Sequence, residues 1–431
     1  YNSQYAKRLP IGSKEVLETF KHQELEDFYK SWYRPDLMAV VVVGDIDVAE
    51  MEQKIKDHFG SYKNPENKKE RTEFTVPDHE ETFIAIEKDK EAAFTQIQLV
   101  YKDKGNAKKE IIIADYRQSL VNGLFNTMIN NRLSEIANNP NPPFNFGFSY
   151  YGSSWSRNKK AYQSQAMTSP ENQLRAFETL VVENERVLRF GFTKGELERA
   201  KKETLARLQA MVDNKDKTES RRLVNELVNN FLDYEPIPGI TAELKAHTVL
   251  YEGIDLTDVN GLITKFIHDD NRVVVFTGPD GEGIPSISEA DVLKVLADVK
   301  EMELTPYEDV AVASSLITKA PLAGKVAKTE KLDKIGVTKL VLSNGVMVFY
   351  KKTDFSDNEI LMRAYSPGGS SLIKSDADFN NTKLAMGGLQ EAGINGFSKN
   401  DLAKMMTGKE VSVSPFVSGN YEGMNGTSVN K

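Results

Sequence analysis

The chain has 431 residues, no cysteine, and a formal net charge of −8 with no basic block. That length suits two or three domains, and 40% apolar with 27% charged residues is ordinary globular composition with material for real cores. Disulfides, thiolate chemistry and Cys-ligated zinc are excluded, nucleic acid and anionic lipid are argued against as partners, and no apolar run approaches the 18 residues or so of a membrane span.

The chain opens on Tyr1 rather than Met, shows no signal peptide, and reads as a piece of something longer. Residues 22–32 carry Leu25, Phe28, Tyr29 and Trp32 at helical spacing. Arg34-Pro35-Asp36 ends that helix, because proline disfavours the helical region for the residue before it. Met38 to Val43 is a continuous apolar run rich in valine and predicts a buried strand, ended by Gly44. Asp47 and Glu50 form a capping box, with Ile46 and Met51 as its hydrophobic staple. Val48, Met51, Ile55 and Phe59 then share one helix face.

Further on, Phe83–Ile86 and Thr95–Tyr101 read as strands, and Tyr116 to Ile136 as a helix carrying Leu120, Leu124, Met128 and Leu133. Asn138 to Pro143 is a rigid Asn/Pro loop, and Phe144 to Trp155 an aromatic strand region. Asn172–Arg189 and Thr193–Asp233 predict long helices, the second opened by a Thr193/Glu196 capping box. The grammar of residues 20–60 then returns. Val259, Leu262, Ile263 and Phe266 make a helical face, His268 to Asn271 breaks it, Val273 to Phe276 is the strand and Gly278 ends it. Ser288 and Asp291 form the capping box, Ile287 and Val292 the staple, and Val295, Leu296 and Val299 continue the face. Two copies of helix–turn–strand–Gly–capped helix imply an internal repeat of domain size, the first without its front half.

Residues 303–335 lose apolar periodicity and contain Pro306 and Pro321, so an extended, mobile interdomain linker is expected there. Leu340 to Val348 with Asn344-Gly345 at its centre is a hairpin signal that opens a third unit. The Gly278/Gly281/Gly283 loop lacks a phosphate-reading lysine and opens no nucleotide fold. Asn425-Gly426-Thr427 matches a glycosylation sequon, a pattern common by chance.

The Tyr33-Arg34-Pro35-Asp36 turn, followed by Val40-Val41-Val42-Val43-Gly44-Asp45, resembles the back half of a domain of the pitrilysin/insulinase family of zinc peptidases, the inverzincins. The likeness runs through nearly the whole chain. It implies an α+β fold of repeated metallopeptidase-like domains, each an antiparallel sheet with helices on one face. It divides the chain into the C-terminal part of a first domain (1–70), a complete non-catalytic second domain (71–302), a linker (303–335) and a truncated, degenerate third domain (336–431). Tyr33, Arg34, Pro35, Gly44, Asp45 and Arg132 are the residues the family motif assigns to structure. The parent would be a zinc metalloendopeptidase whose two halves close around a peptide substrate, in periplasm or cytoplasm, with the periplasm ahead.

In that family the chemistry sits on an H-x-x-E-H helix, where two His one turn apart hold zinc and the Glu activates its water. His22, His58, His79, His247 and His268 are scattered, and no H-x-x-E-H occurs. His79 has acidic neighbours, but a solvated acidic linker explains them. The stretch from Thr382 to Gly393, where a zinc helix of the third unit would fall, has no His. Ala137 stands where Arg132-Leu133-x-Glu135-x-Arg would place the second Arg of a domain that assists catalysis. No catalytic or metal residue and no bound zinc are therefore expected in this chain. Phe144, Phe146, Phe148 and Tyr150 alternate and form a possible peptide-contact region, although a half-buried sheet face accounts for them more simply. Three readings stay open: the non-catalytic portion of a zinc endopeptidase, working with the remaining half of the same protein; a non-catalytic subunit paired with a homologous active one; and a structural assembly protein of the same fold.

Overall fold

The structure is a computed structural model that describes residues 3–8, 10–105, 112–154, 156–310, 313, 315–317 and 319–429. In chain order its longer elements are α1 (Lys14–Thr19), α2 (His22–Trp32), α3 (Val48–Phe59), β1 (Phe83–Asp89), β2 (Thr95–Lys102), α4 (Ile113–Ala137), β3 (Phe146–Ser154), β4 (Ser156–Thr168), α5 (Gln173–Phe190), α6 (Lys194–Asp213), α7 (Ser220–Asp233), α8 (Ile240–Glu252), α9 (Leu256–Phe266), β5 (Arg272–Pro279) and α10 (Glu289–Glu301). Then follow β6 (Val326–Leu332), β7 (Val337–Leu342), β8 (Met347–Tyr350), β9 (Ile360–Pro367), α11 (Asp376–Glu391), α12 (Lys399–Met406), β10 (Val411–Val417) and β11 (Tyr421–Ser428). The chain divides into two units. One comprises residues 1–200, 218–239 and 246–309; the other comprises 201–217, 240–245 and 310–431.

The first unit is built on a sheet ordered β1-β5-β2-β4-β3. Its pairs are antiparallel except β1 with β5, which run parallel from Phe83↔Val273 to Asp89↔Pro279. Strand alternation sorts side chains by face. Ile97 and Leu99 of β2, Ala166 of β4, and Val274 and Phe276 of β5 point inward and are buried. Leu124, Phe125, Met128 and Ile129 of α4, Phe177 and Leu180 of α5, Ile263 and Phe266 of α9, and Val292 and Leu296 of α10 complete this core. Phe125 is its hub, meeting Tyr162, Phe192 and Phe266 edge-on at ring-centroid distances of 5.7, 5.3 and 5.1 Å, the geometry that aligns a positive ring edge with a negative ring face.

Helix ends follow the sequence closely. Thr193 and Glu196 cap α6 reciprocally: the Thr193 backbone N–H donates to the Glu196 carboxylate at 2.7 Å, and the Glu196 N–H to Thr193 Oγ1 at 3.3 Å. Ser288 and Asp291 do the same for α10. At α3, Asp47 accepts from the Glu50 N–H at 2.8 Å, while the Glu50 side chain pairs with Lys54 instead of closing the box.

Three expectations are corrected. Met38–Val43 forms no strand: the segment follows a short turn at Pro35–Leu37, and Met38, Val40 and Val42 are exposed. An apolar run supplies strand propensity, but a ladder needs a neighbour, and no described strand lies beside it. The helix expected over Thr193–Asp233 is interrupted between Asp213 and Ser220, where residues 213–222 offer no apolar side chain to carry a packed face across. The stretch expected as a linker is ordered at both ends. Its start is fastened to the first unit: Arg186 Nε donates to the Thr305 carbonyl at 3.2 Å, the Tyr307 hydroxyl to both oxygens of Glu135 at 2.9 and 2.7 Å, and the Arg199 guanidinium to Asp309 at 3.1 and 2.7 Å. Val326–Leu332, near its end, pairs with β7 as β6.

The second unit holds two three-stranded antiparallel sheets, β6-β7-β8 and β10-β11-β9. The expected hairpin is β7–β8, and Gly345 turns it at φ +85°, a conformation that glycine adopts without penalty. The end of α6 is tied to the loop before β9. Asn214 Oδ1 accepts from the Asp357 N–H at 2.9 Å, and Asn358 Nδ2 donates to Asp213 at 2.8 Å.

Candidate functional site

The outward face of the first unit's sheet is open along β3 and chemically distinctive there. Along β3, Gly147 and Ser149 point inward, while Phe146, Phe148 and Tyr150 point outward at 55, 39 and 41% exposure. Their rings stack in a ladder, with centroids 6.3 and 6.4 Å apart and planes within 11°. Across the register stand Met167, Gln165 and Gln163 of β4, then Gln96 and Gln98 of β2. A row of ring faces beside a field of amides suits side-chain stacking and amide hydrogen bonds with an extended chain. Phe144, included in the expected region, is a core side chain at 1% exposure, packed where a Cβ on Gly147 would come within 2.7 Å of its ring. Asn145 shifts the alternation, so Phe144 belongs to the loop that enters the strand. Trp155 lies outside the described residues.

β3 is an edge strand, yet part of its free edge is closed. Asn130 Nδ2 donates to the Ser149 carbonyl at 2.7 Å, and its Oδ1 accepts the Ser149 N–H at 2.8 Å. One turn earlier on α4, Asn126 makes the same pair of bonds to Tyr151 at 3.4 and 3.0 Å. Residues i and i+4 of a helix rise about as far as residues i and i+2 of a strand, so two asparagines can imitate a neighbouring strand over 149–151. Its signal in the sequence is two asparagines four apart on an apolar helix.

Arg132 is buried at 2% exposure, but inside the fold rather than facing a cleft. Its Nε and Nη2 donate to the two oxygens of Glu196 at 2.6 and 2.9 Å, Nη1 to Glu183 at 3.1 Å, and Nη2 also to the Gly191 carbonyl at 3.1 Å. The guanidinium lies between the rings of Phe192 and Tyr307 at 4.8 and 4.3 Å. Burial works against its charge, but the Glu196 and Glu183 carboxylates outweigh it and hold Arg132 protonated. Burial and Glu135 push the Tyr307 hydroxyl far up, so it remains a donor.

The other motif residues sit at two bends between α2 and α3. Tyr33 stacks on Tyr29 at 4.8 Å, Pro35 opens the turn, Arg34 is buried with Nε 3.1 Å from Asp36 Oδ1, and Gly44 and Asp45 lie exposed in the bend before α3. The histidines do not converge. His22 and His58 are exposed on α2 and α3, His79 stacks on Phe83 at 3.9 Å, His247 meets the Tyr116 hydroxyl at 3.3 Å, and His268 pairs with Asp270. Among the described residues no three His, Cys, Asp or Glu side chains are placed to share a metal ion, so the donor set does not fit a zinc site. Nor is any helix among them long and apolar enough to cross a membrane.

Residues 19–204 match the family described as Peptidase M16 inactive domain. The chain is 27% identical over 412 residues to a zinc protease PQQL-like of Arabidopsis thaliana, covering 95% of this chain and 40% of that protein. Its fold is similar to the periplasmic protease PqqL from Escherichia coli, with TM-score 0.60 and 21% identity over 97% of this chain and 46% of that one. It is likewise similar to pitrilysin, with TM-score 0.53 and 15% identity over 95% of this chain and 42% of that one. The chain thus spans less than half the length of these relatives. With an inactive-domain match over residues 19–204 laid on an α+β scaffold that such peptidases share, the chain is similar to the pitrilysin/insulinase, or M16, peptidases.

Proposed function

We propose that this chain is the non-catalytic portion of a zinc-dependent metalloendopeptidase that hydrolyses peptides in a chamber between two halves. The observation that carries the reading is the inactive-domain match over residues 19–204 in a chain without H-x-x-E-H. Residues 1–70 then close a first domain, 71–302 form a complete second one, and 336–431 begin a third. Zinc, with the Glu that activates its water, belongs to the remaining half of the parent protein. The periplasmic relative favours the periplasm as its compartment. Peptide contact falls to the sheet face open along β3, through Phe146, Phe148 and Tyr150 and the neighbouring glutamines. The Asn126 and Asn130 amides occupy part of the β3 edge, which supports contact through side chains rather than strand addition over 149–151.

The test compares this chain with the full-length gene product. After dialysis, metal analysis should find no stoichiometric zinc in this chain, and a fluorogenic peptide should not be cleaved. The full-length product should bind one zinc and show chelator-sensitive turnover. Chelator-sensitive turnover by this chain alone would overturn the assignment.

A further inference from the structure

We propose that the first unit carries a binding cavity for a small apolar carboxylate, set between α5, α10 and the turn that joins α9 to β5. It lies on the helix-covered side of the sheet, away from the outward row of Phe146, Phe148 and Tyr150, and is independent of the function proposed above.

The turn is built to hold its side chains still. His268-Asp269-Asp270-Asn271 follows α9, and Asn271 turns the chain at φ +54°, in the left-handed region that asparagine enters more readily than most side chains. Asn271 is 1% exposed, and its polar groups are all bonded. Its N–H donates to the His79 carbonyl and its Oδ1 accepts the His79 N–H, both at 2.8 Å. Its Nδ2 donates to Asp78 at 3.2 Å, and its carbonyl accepts the Lys102 N–H at 3.1 Å. Conformations of this kind persist only where the surroundings enforce them, and they collect at ligand sites. Here the turn places His268 before it and Arg272 after it.

Between that turn, α5 and α10 lies a cavity of about 140 Å³. Packed interiors hold few voids larger than a water molecule, and a void of about 150 Å³ takes up benzene. Part of the wall is apolar, with Val181 and Leu188 of α5 and Leu296 and Val299 of α10. The polar part is rich in donors. Arg272 is buried, its Nε donates to Thr82 Oγ1 at 2.9 Å and its Nη1 to Asp269 at 3.3 Å, while Nη2 donates to no described acceptor. Burial pushes the Tyr101 hydroxyl far up, despite the guanidinium beside it, so it stays an O–H donor.

Charge selects the ligand. Asp269 is shared between Lys300 at 2.6 Å and Arg272 at 3.3 Å, and Glu185 pairs with Arg189 at 2.7 Å. Three cations thus meet two carboxylates around the cavity. One further carboxylate balances them. It finds donors in Arg272 Nη2 and the Tyr101 hydroxyl, charge-assisted bonds that offset its loss of water. The apolar wall takes its tail, a group about the size of a benzene ring. A neutral ligand leaves the excess charge unmet, and a cation adds to it.

Methyl NMR on the whole chain, with benzoate as the probe, tests this. Benzoate should shift the methyl signals of Val181, Leu188, Ile267, Leu296 and Val299 saturably, with half-saturation at or below about 1 mM, while methyl groups elsewhere stay in place. Benzyl alcohol, close to it in shape, should bind about tenfold more weakly, and benzylammonium should not bind. Tyr101→Phe keeps the ring against Tyr162 and should weaken benzoate by about tenfold or more, the worth of a hydrogen bond to a charged group. Val181→Phe fills the cavity and should block benzoate. Shifts that never saturate or that spread through the chain would overturn the proposal, as would a folded Val181→Phe chain that binds benzoate as before. Benzyl alcohol binding as tightly as benzoate, or unchanged benzoate affinity in Tyr101→Phe, would also overturn it. Should Val181→Phe fail to fold, Tyr101→Phe and the comparison of the three ligands decide.

Discussion

Arg132 sits where its charge has no access to water, and two carboxylates keep it there. Removing it leaves Glu183 and Glu196 buried with one charge fewer between them, although Arg186 still reaches Glu183. Breaking a buried pair by deleting one partner costs about 3–5 kcal/mol, so Arg132→Met should lower unfolding free energy by that order in urea titration. Arg132→Lys should restore little, because an ammonium cannot span both carboxylates as the planar fork does. His79 offers a second residue-scale test. Its Nδ1–H donates to the Glu81 carbonyl at 2.7 Å, while Nε2 is buried without a partner, and burial pushes its pKa below the ordinary 6.5. The folded ring therefore refuses a proton that the unfolded chain accepts. Stability should be full above about pH 6.5 and decline as pH falls below it. His79→Phe, which keeps the stack on Phe83, should flatten the slope of urea midpoint against pH between 7 and 5.5.

At the scale of elements, the asparagine pair on α4 protects an edge that would otherwise invite pairing. The double variant Asn126→Leu with Asn130→Leu strips partners from the main chain of Ser149 and Tyr151. At roughly 1–3 kcal/mol per buried unsatisfied group, the loss should be clear in thermal melts. The bared edge should also raise self-association in sedimentation velocity, whereas an unchanged monomer would show that Phe146, Phe148 and Tyr150 guard the strand by themselves. Legibility at this scale follows chemistry. β5 and the capped helices were plain because Val, Ile, Leu and Phe fill their inward positions. β4 was missed because, after Tyr162, its inward positions are Ser164, Ala166 and Thr168, small or hydroxylated residues that show little apolar alternation. Ser164 is buried through bonds to Ser149 at 2.9 Å and Asn184 at 3.0 Å, partners that no local pattern reveals.

For the whole molecule, the family likeness and the fold class were legible because the Tyr33–Asp45 segment is specific. The outward row of β3 was legible in part: alternation found Phe146, Phe148 and Tyr150, but it also drew in the buried Phe144, since alternation cannot see where a strand begins. The boundary between the two units could not be read. It depends on long-range ties such as Asn214 with Asp357, and it divides α6 near Ala200, inside a continuous helix. A chain shortened to residues 1–309 should keep the near-ultraviolet signature of its aromatic core while amides of residues 203–213 lose protection. Retained protection there would show that the end of α6 needs none of its partners beyond residue 309.

The insertion of β5 between β1 and β2 also sets a clock. β1 pairs with no described strand except β5, and its partners lie about 190 residues downstream, Phe83 waiting for Val273. At the usual 5–20 residues per second, a ribosome takes on the order of ten to forty seconds to supply that partner. Throughout the interval β1 is an unpaired apolar strand beside an open slot, the kind of nascent surface that chaperones hold. Arrested chains ending before residue 272 should therefore be cut readily by protease within 83–89, and chains long enough to carry β5 clear of the exit tunnel should not.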